Sequence, residues 1–212
     1  MSSIDNIEKQ MNKIENLNEI SSNSGVLSII KYSPINTDNI KTKDIVEFIS
    51  YRLSKIIENN KKQKLKPLKG KNEPLYSIKI PKLTIENFLI RIIKYTEAEN
   101  MTLLLAYDYI ERLIEKENFI ICLNNVYRLL LGSTVLAIKI LEDNKYDNSE
   151  YCQIGGLSLK DFNAVEYSLA VRLDFELNPS YEDIESILEQ IYYTVLSKQS
   201  RNQSLDSVST NL

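Results

Sequence analysis

The chain has 212 residues, 43% of them hydrophobic and 26% charged, which is a globular balance with enough apolar surface for a sizeable core. Its net charge of −3 removes nucleic acid as the default partner, and with only 5 Gly and 5 Pro a turn-rich sandwich or barrel is disfavoured. Histidine is absent, which takes away the commonest general base and metal ligand and points away from an enzyme.

Taken in order, residues 1–20 carry Ile4, Ile7, Met11, Ile14 and Leu17 at helical spacing and predict a short amphipathic helix. Ser21 to Asn39 reads as a connection, although Val26 to Ile30 is apolar enough to dock. Lys41 to Asn60 predicts a clear amphipathic helix, with Ile45, Val46, Ile49, Leu53, Ile56 and Ile57 in one stripe. Six lysines follow between Lys61 and Lys71. An anion or nucleic-acid patch competes there with a solvated linker. The linker is the better reading, because no aromatics are interleaved for base stacking and Pro67 and Gly70 break any helix that would align the charges.

From Ile80 onward the spacing predicts a dense series of helices joined by short connections, with no strand alternation of useful length. Pro81 and Thr84 open one that runs to about Tyr95, with Ile85, Phe88, Leu89, Ile92 and Ile93 on one face. Thr102 to about Lys116 is the second, with Leu104, Leu105, Ile110 and Leu113 inward. Leu123 to Glu142 is the third and the most apolar run of the chain, with Asn124 and Asn125 as N-cap candidates. Apolar on nearly all sides, it is the central helix of the domain. Arg128 and Lys139 inside it argue against a membrane span, and Lys139 then needs water or a partner. Tyr146 to Gln153 predicts a brief helix, and Gly155-Gly156 a turn.

Ser158 caps a fifth helix carrying Leu159, Phe162, Val165, Leu169, Val171 and Leu173, with Asp161 completing a capping box. Pro179-Ser180 opens a last one with Ile184, Ile187, Leu188 and Ile191 inward. The tail from Lys198 is Ser-, Asn- and Gln-rich, a composition for disorder.

Few residues carry chemistry. Gly155-Gly156 lacks the spacing of a phosphate loop. Glu142-Asp143 is weak as a metal site against a solvated helix end, where acids oppose the dipole and call for a basic compensator. Cys122 and Cys152 have no metal spacing and, with no signal peptide ahead of them, read as reduced thiols of an intracellular protein. Asn202-Gln203-Ser204 matches a glycosylation sequon but has no secretory signal to give it meaning, and the tyrosines are scattered as packing or surface residues. No nucleophile, base and orienter set can be drawn, and neither cofactor nor metal is expected. The informative pair is Lys139 and Glu166, one late on the central helix and one in the middle of the fifth. If those helices pack antiparallel the two meet at one rim, either as a salt bridge that only satisfies Lys139 or as a pair that docks a second protein.

Three segments resemble the cyclin box, in particular that of the phosphate-signalling (P- or U-type) cyclins of fungi and protists: IPKLTIENFLIRIIKYT, LLLAYDYIERL, and LNNVYRLLLGSTVLAIKILEDNKYDNSEYCQIGGLSLKDFNAVEYSLAVRLDFEL. The resemblance implies an all-α fold, a single cyclin box of five helices around a central one, with extra N- and C-terminal helices. It divides the chain into an N-terminal extension (1–40), a flanking helix and Lys-rich linker (41–76), the box (77–180), a C-terminal helix (181–197) and a disordered tail (198–212). It further implies a non-catalytic subunit that binds and activates a cyclin-dependent protein kinase, in cytoplasm or nucleus, with no specific nucleic acid and no membrane as partner. The family's docking lysine and glutamate match Lys139 and Glu166; the flanking apolar positions match Leu136, Ile140, Ala170, Phe175 and Leu177; Asp143 matches an acid that meets a basic group of the kinase. The chain departs from the pattern at Glu111, where the family has aspartate, and at Tyr127, where it has histidine; Arg91 is no clean counterpart of the family's first-helix arginine. A cyclin-fold nucleic-acid-binding module of the transcription-factor kind, and a helical scaffold without kinase binding, are the alternatives.

Overall fold

The computed structural model describes residues 40–67, 73–143 and 145–209, with side chains to 197. The expectations on residues 1–39, on 68–72 of the lysine run and on the side chains of the tail, its sequon included, lie outside the described residues, whereas the tail's backbone, expected to be disordered from Lys198, continues the last helix to Ser209. Among the described residues there are helices and no strand. They are α1 (Thr42–Lys62), α2 (Ile85–Thr96), α3 (Asn100–Glu117), α4 (Val126–Leu141), α5 (Asn148–Ile154), α6 (Leu159–Arg172) and α7 (Tyr181–Ser209).

Local chemistry sets the helix starts. The Thr84 hydroxyl accepts from the Asn87 N–H at 3.1 Å and opens α2. Asp147 and Glu150 form a reciprocal capping box that starts α5 at Asn148, two residues later than the pattern suggests. At α6 the Ser158 hydroxyl accepts from the Asp161 N–H at 3.1 Å and donates to the Asp161 carboxylate at 2.7 Å. Asp161 therefore meets the cap's hydroxyl, where a capping box would have it accept from the backbone N–H. α1 runs two residues past Asn60, whose side chain donates to the Ile121 carbonyl at 2.9 Å and ties α1 to the loop before α4.

The core is built from one stripe of each helix, and α4 is its centre. Every residue from Val126 to Ile138 is buried except Arg128, whose guanidinium donates to the Pro74 carbonyl. α4 packs most extensively on α3, then on α6, with α2 on another side. Each fully buried Leu or Ile of that helix contributes roughly 1.5–3 kcal/mol. α4 begins later than its apolar run because Asn125 folds the preceding loop: its Oδ1 accepts from the Cys122 N–H at 2.8 Å and its Nδ2 donates to the Ile120 carbonyl at 2.9 Å. Gly155 caps α5 and Gly156, at φ +64, turns the chain toward α6. Of the apolar residues named for α6, Phe162, Val165, Leu169 and Leu173 are buried, whereas Leu159 and Val171 are 44% and 43% exposed. In α7 the buried stripe of Ile184, Ile187, Leu188 and Ile191 packs against α3 and α1.

Candidate functional site

The close approach of α4 and α6 builds the site. A Cβ at Gly132 would stand 2.5 Å from Leu169 Cδ1 and 2.9 Å from Val165 Cγ1, so a larger residue there pushes α6 away. Lys139 lies two helical turns beyond Gly132 on the same face of α4 and reaches the rim of that contact. There its ammonium forms an ion pair with Glu166 and donates to Asn148 Oδ1 at 2.8 Å. Asn148 Nδ2 in turn donates to the other Glu166 oxygen at 2.7 Å and to Asn163 Oδ1 at 2.8 Å. Lysine, asparagine and glutamate thus close a ring across α4, α5 and α6. The lysine and glutamate side chains are 32% and 17% exposed, so the ring sits at a rim and is neither free in solvent nor sealed in the core.

The neighbouring residues divide into a floor and a surface. Leu136 and Ala170 are buried, while Ile140 and Asp143 are exposed. Leu177 is half-buried against the core, and its carbonyl accepts the Tyr109 hydroxyl. Phe175 is 63% exposed for a backbone reason. Asp174 and Phe175 follow α6 with φ of +54 and +57, held by hydrogen bonds from the Phe175 N–H to the Ala170 carbonyl at 2.8 Å and from the Glu176 N–H to the Leu173 carbonyl at 2.9 Å. A bulky residue in the left-handed region costs on the order of 1–3 kcal/mol, and here that conformation accompanies a phenyl ring held out in solvent.

Three residues of this face were not singled out from the sequence. Asn148 looked like one polar residue in a polar segment. Tyr167 and Val171, exposed at 68% and 43%, lie i,i+4 on α6 beside the Glu166–Ala170 row, and that spacing was the available signal.

Glu142 takes a different role from either reading of it. Its carboxylate accepts from the Glu99 N–H at 3.2 Å and from the Thr102 hydroxyl, at the N-terminus of α3. The compensator is therefore a helix N-terminus, where an acid is favourable. The last turn of α4 is neutralised instead by Lys145, whose ammonium donates to the Lys139 carbonyl at 2.7 Å. Glu111 accepts the Tyr107 hydroxyl at 2.7 Å and lies 3.8 Å from Arg52; burial raises its pKa, against the lowering effect of those two partners. Tyr127 donates to the Leu83 carbonyl at 2.6 Å and meets Phe88 edge-on. Arg91 donates to the Ile154 carbonyl at 2.9 Å, joining α2 to α5. Among the described residues no cluster of acids and cysteines could hold a metal ion, and no helix is long and apolar enough to cross a membrane.

Comparison with known proteins agrees with this architecture. The family model described as Cyclin matches residues 4–177. Cyclin-U1-1 of Arabidopsis thaliana is 31% identical over 157 residues, covering 72% of this chain and 74% of its own length. Cyclin-U2-2 of the same plant is 31% identical over 161 residues, covering 73% of this chain and 70% of its own. The PHO85 cyclin-like protein psl1 of Schizosaccharomyces pombe is 34% identical over 155 residues, covering 67% of this chain and 64% of its own. With the family match spanning most of the chain, the all-helical fold around a central α4 and these relatives together, the chain belongs to the cyclin family, among its P- and U-type members.

Proposed function

We propose that this chain is the non-catalytic regulatory subunit of a cyclin-dependent protein kinase, and that it binds and activates that kinase through the rim of α4 and α6. The observation that carries the reading is the Lys139–Asn148–Glu166 ring on helices that also expose Ile140, Tyr167 and Val171, with Phe175 exposed just past α6. An ammonium has three N–H donors, and two are used inside the ring, which leaves one for an acceptor on the partner. Glu166 keeps lone pairs for a partner's N–H. The apolar side chains supply the binding energy by burial, and the charged ring fixes orientation more than affinity. Leu136, Ala170 and Leu177 support that surface from behind, and Asp143 meets a basic group at its edge. A rigid face pressed on a kinase's regulatory helix assembles the Lys–Glu ion pair that the kinase needs for phosphoryl transfer.

The name of the fission-yeast relative, a PHO85 cyclin-like protein, makes a PHO85-type kinase the first partner to try. We take residues 77–180 as the box, with 41–76 and 181–197 flanking it, 1–40 and 198–212 as extensions, and cytoplasm or nucleus as the place of action.

The test measures stability and kinase binding on the same variants. Lys139→Ala and Glu166→Ala are expected to keep their melting temperature, since a rim pair contributes about 0–1 kcal/mol. Binding to a recombinant PHO85-type kinase is expected to weaken by roughly 2–5 kcal/mol, with loss of its stimulated activity. A large loss of stability with unchanged kinase affinity would reject the docking role and leave the pair as a fold-stabilising salt bridge.

A further inference from the structure

A second polar region lies on another side of α3. Asp108, Glu111, Arg112, Glu115 and Lys116 recur at helical spacing along one face of α3 and line a cleft of ≈ 500 Å³ against Arg52 of α1 and against Asp183, Ser186 and Gln190 of α7. Glu176 and Asn178, from the turn after α6, close its end. Charge in the cleft is not balanced. Five carboxylates face three cations: Lys116 pairs with Glu176 at 3.0 Å, and Arg112 is shared between Asp108 at 3.6 Å and Glu176 at 3.7 Å. The third, Arg52, lies 3.8 Å from Glu111.

Asp108 is the odd group. It is 2% exposed, its Oδ2 accepts no hydrogen bond, and its ion pair with Arg112 is long, at 3.6 Å, and shared with Glu176. A buried carboxylate oxygen paired only that loosely costs stability. Asp183 and Glu111 crowd it further: burial first, then these two charges, raise its pKa, with Arg112 acting against them. What the cleft lacks is one more cation able to serve carboxylates spread over two helices. An ammonium is a point charge; a guanidinium carries five N–H donors in a planar fork and spans two carboxylates at once.

We infer that the cleft between α3 and α7 is a docking site for a basic peptide segment, which inserts an arginine side chain among Asp183, Glu115 and Asp108. The site is separate from the α4/α6 rim and stands whether or not that rim binds a kinase. Its test needs no kinase either. The probe is a fluorescein-labelled Gly-Arg-Gly-Arg-Gly peptide titrated with the full chain by fluorescence anisotropy. Its control is the same peptide with citrulline, the neutral isostere, at both arginines.

The arginine peptide is expected to bind and the citrulline peptide not. Asp183→Asn with Glu115→Gln is expected to weaken binding by about tenfold or more, the loss for removing charged hydrogen-bond acceptors. Glu86→Gln with Glu97→Gln makes the same change of net charge at exposed positions on α2 and should leave affinity within about twofold, since separated surface charges are screened. Asp108→Asn, which keeps the shape of the buried group, is expected to weaken binding while the fold is retained. A lysine peptide that binds as tightly as the arginine one overturns the guanidinium assignment. An equal loss in the cleft and control pairs, or citrulline binding as well as arginine, overturns the site.

Discussion

The α4/α6 rim and the α3/α7 cleft are both polar surfaces at helix junctions, yet they handle charge in opposite ways. At the rim one lysine, one glutamate and one asparagine satisfy each other, and the ring is fixed by three helices. In the cleft acids outnumber bases, and a nearly inaccessible carboxylate has no hydrogen bond on one oxygen. The contrast teaches that buried charge alone does not mark a docking surface. A closed network presents a finished geometry to whatever binds it, whereas an open one holds a deficit that a ligand can make good.

The largest expected effect tests what makes the rim possible. Gly132→Leu forces side chains into Leu169 and Val165 and should lower stability by about 3 kcal/mol, read as a lower urea midpoint with little change of slope. A change within a few tenths of a kcal/mol would show that the spacing of α4 and α6 is not set there.

Next comes the cleft's buried carboxylate, Asp108. Burial pushes the Asp108 pKa from 3.8 up to about 6, so between those values the folded chain holds a proton that the unfolded chain has lost. Stability therefore falls as pH rises through that window and stays reduced above it. Asp108→Asn removes this penalty and should stabilise the protein at pH 7.5, by about 1–3 kcal/mol at most, with the gain shrinking toward pH 4. A gain that does not vary with pH would mean that the carboxylate does not titrate in this range.

A smaller effect is expected at the ring. Asn148→Ala leaves one Glu166 oxygen unpartnered at the rim and should cost up to about 1 kcal/mol, while Asn163→Ala, which removes only an exposed bond, should cost a few tenths. Equal costs would show that the ring is no more than surface hydrogen bonding. Of the same order is Glu142→Ala, expected to cost about 1 kcal/mol through the lost cap on α3, as seen by faster amide exchange at Asn100 to Leu103.

Much of this was legible in the sequence, and the reason is periodicity. The mostly apolar run from Leu129 to Leu141 located the central helix, and a lysine inside it demanded a partner that helix packing supplied in Glu166. What stayed hidden were contacts that no period encodes. Asn148 reaches Lys139 and Glu166 from a third helix, so neither spacing nor residue type sets it apart from other asparagines. Glu142 finds its partners 43 and 40 residues back along the chain, at a helix end that gives no sign of wanting an acid. Val171 is as apolar as the buried residues of α6, although its register puts it beside Tyr167 on the outside. The turn at Asp174-Phe175 holds no glycine, so its left-handed backbone gave no sequence signal.

The Glu142 contact has a mechanical side. α3 and α4 are joined by a short loop at one end, and Glu142 fastens them again at the other, with the Glu99 N–H and the Thr102 hydroxyl as the catch. Two helices hinged at one end can splay; two helices fastened at both ends behave as a frame. Whatever presses on Lys139 and Ile140 pushes against a strut braced into α3, so little of the work is lost in bending a loose helix end. The turn that holds α4 in line thus belongs with the rim in the proposed docking.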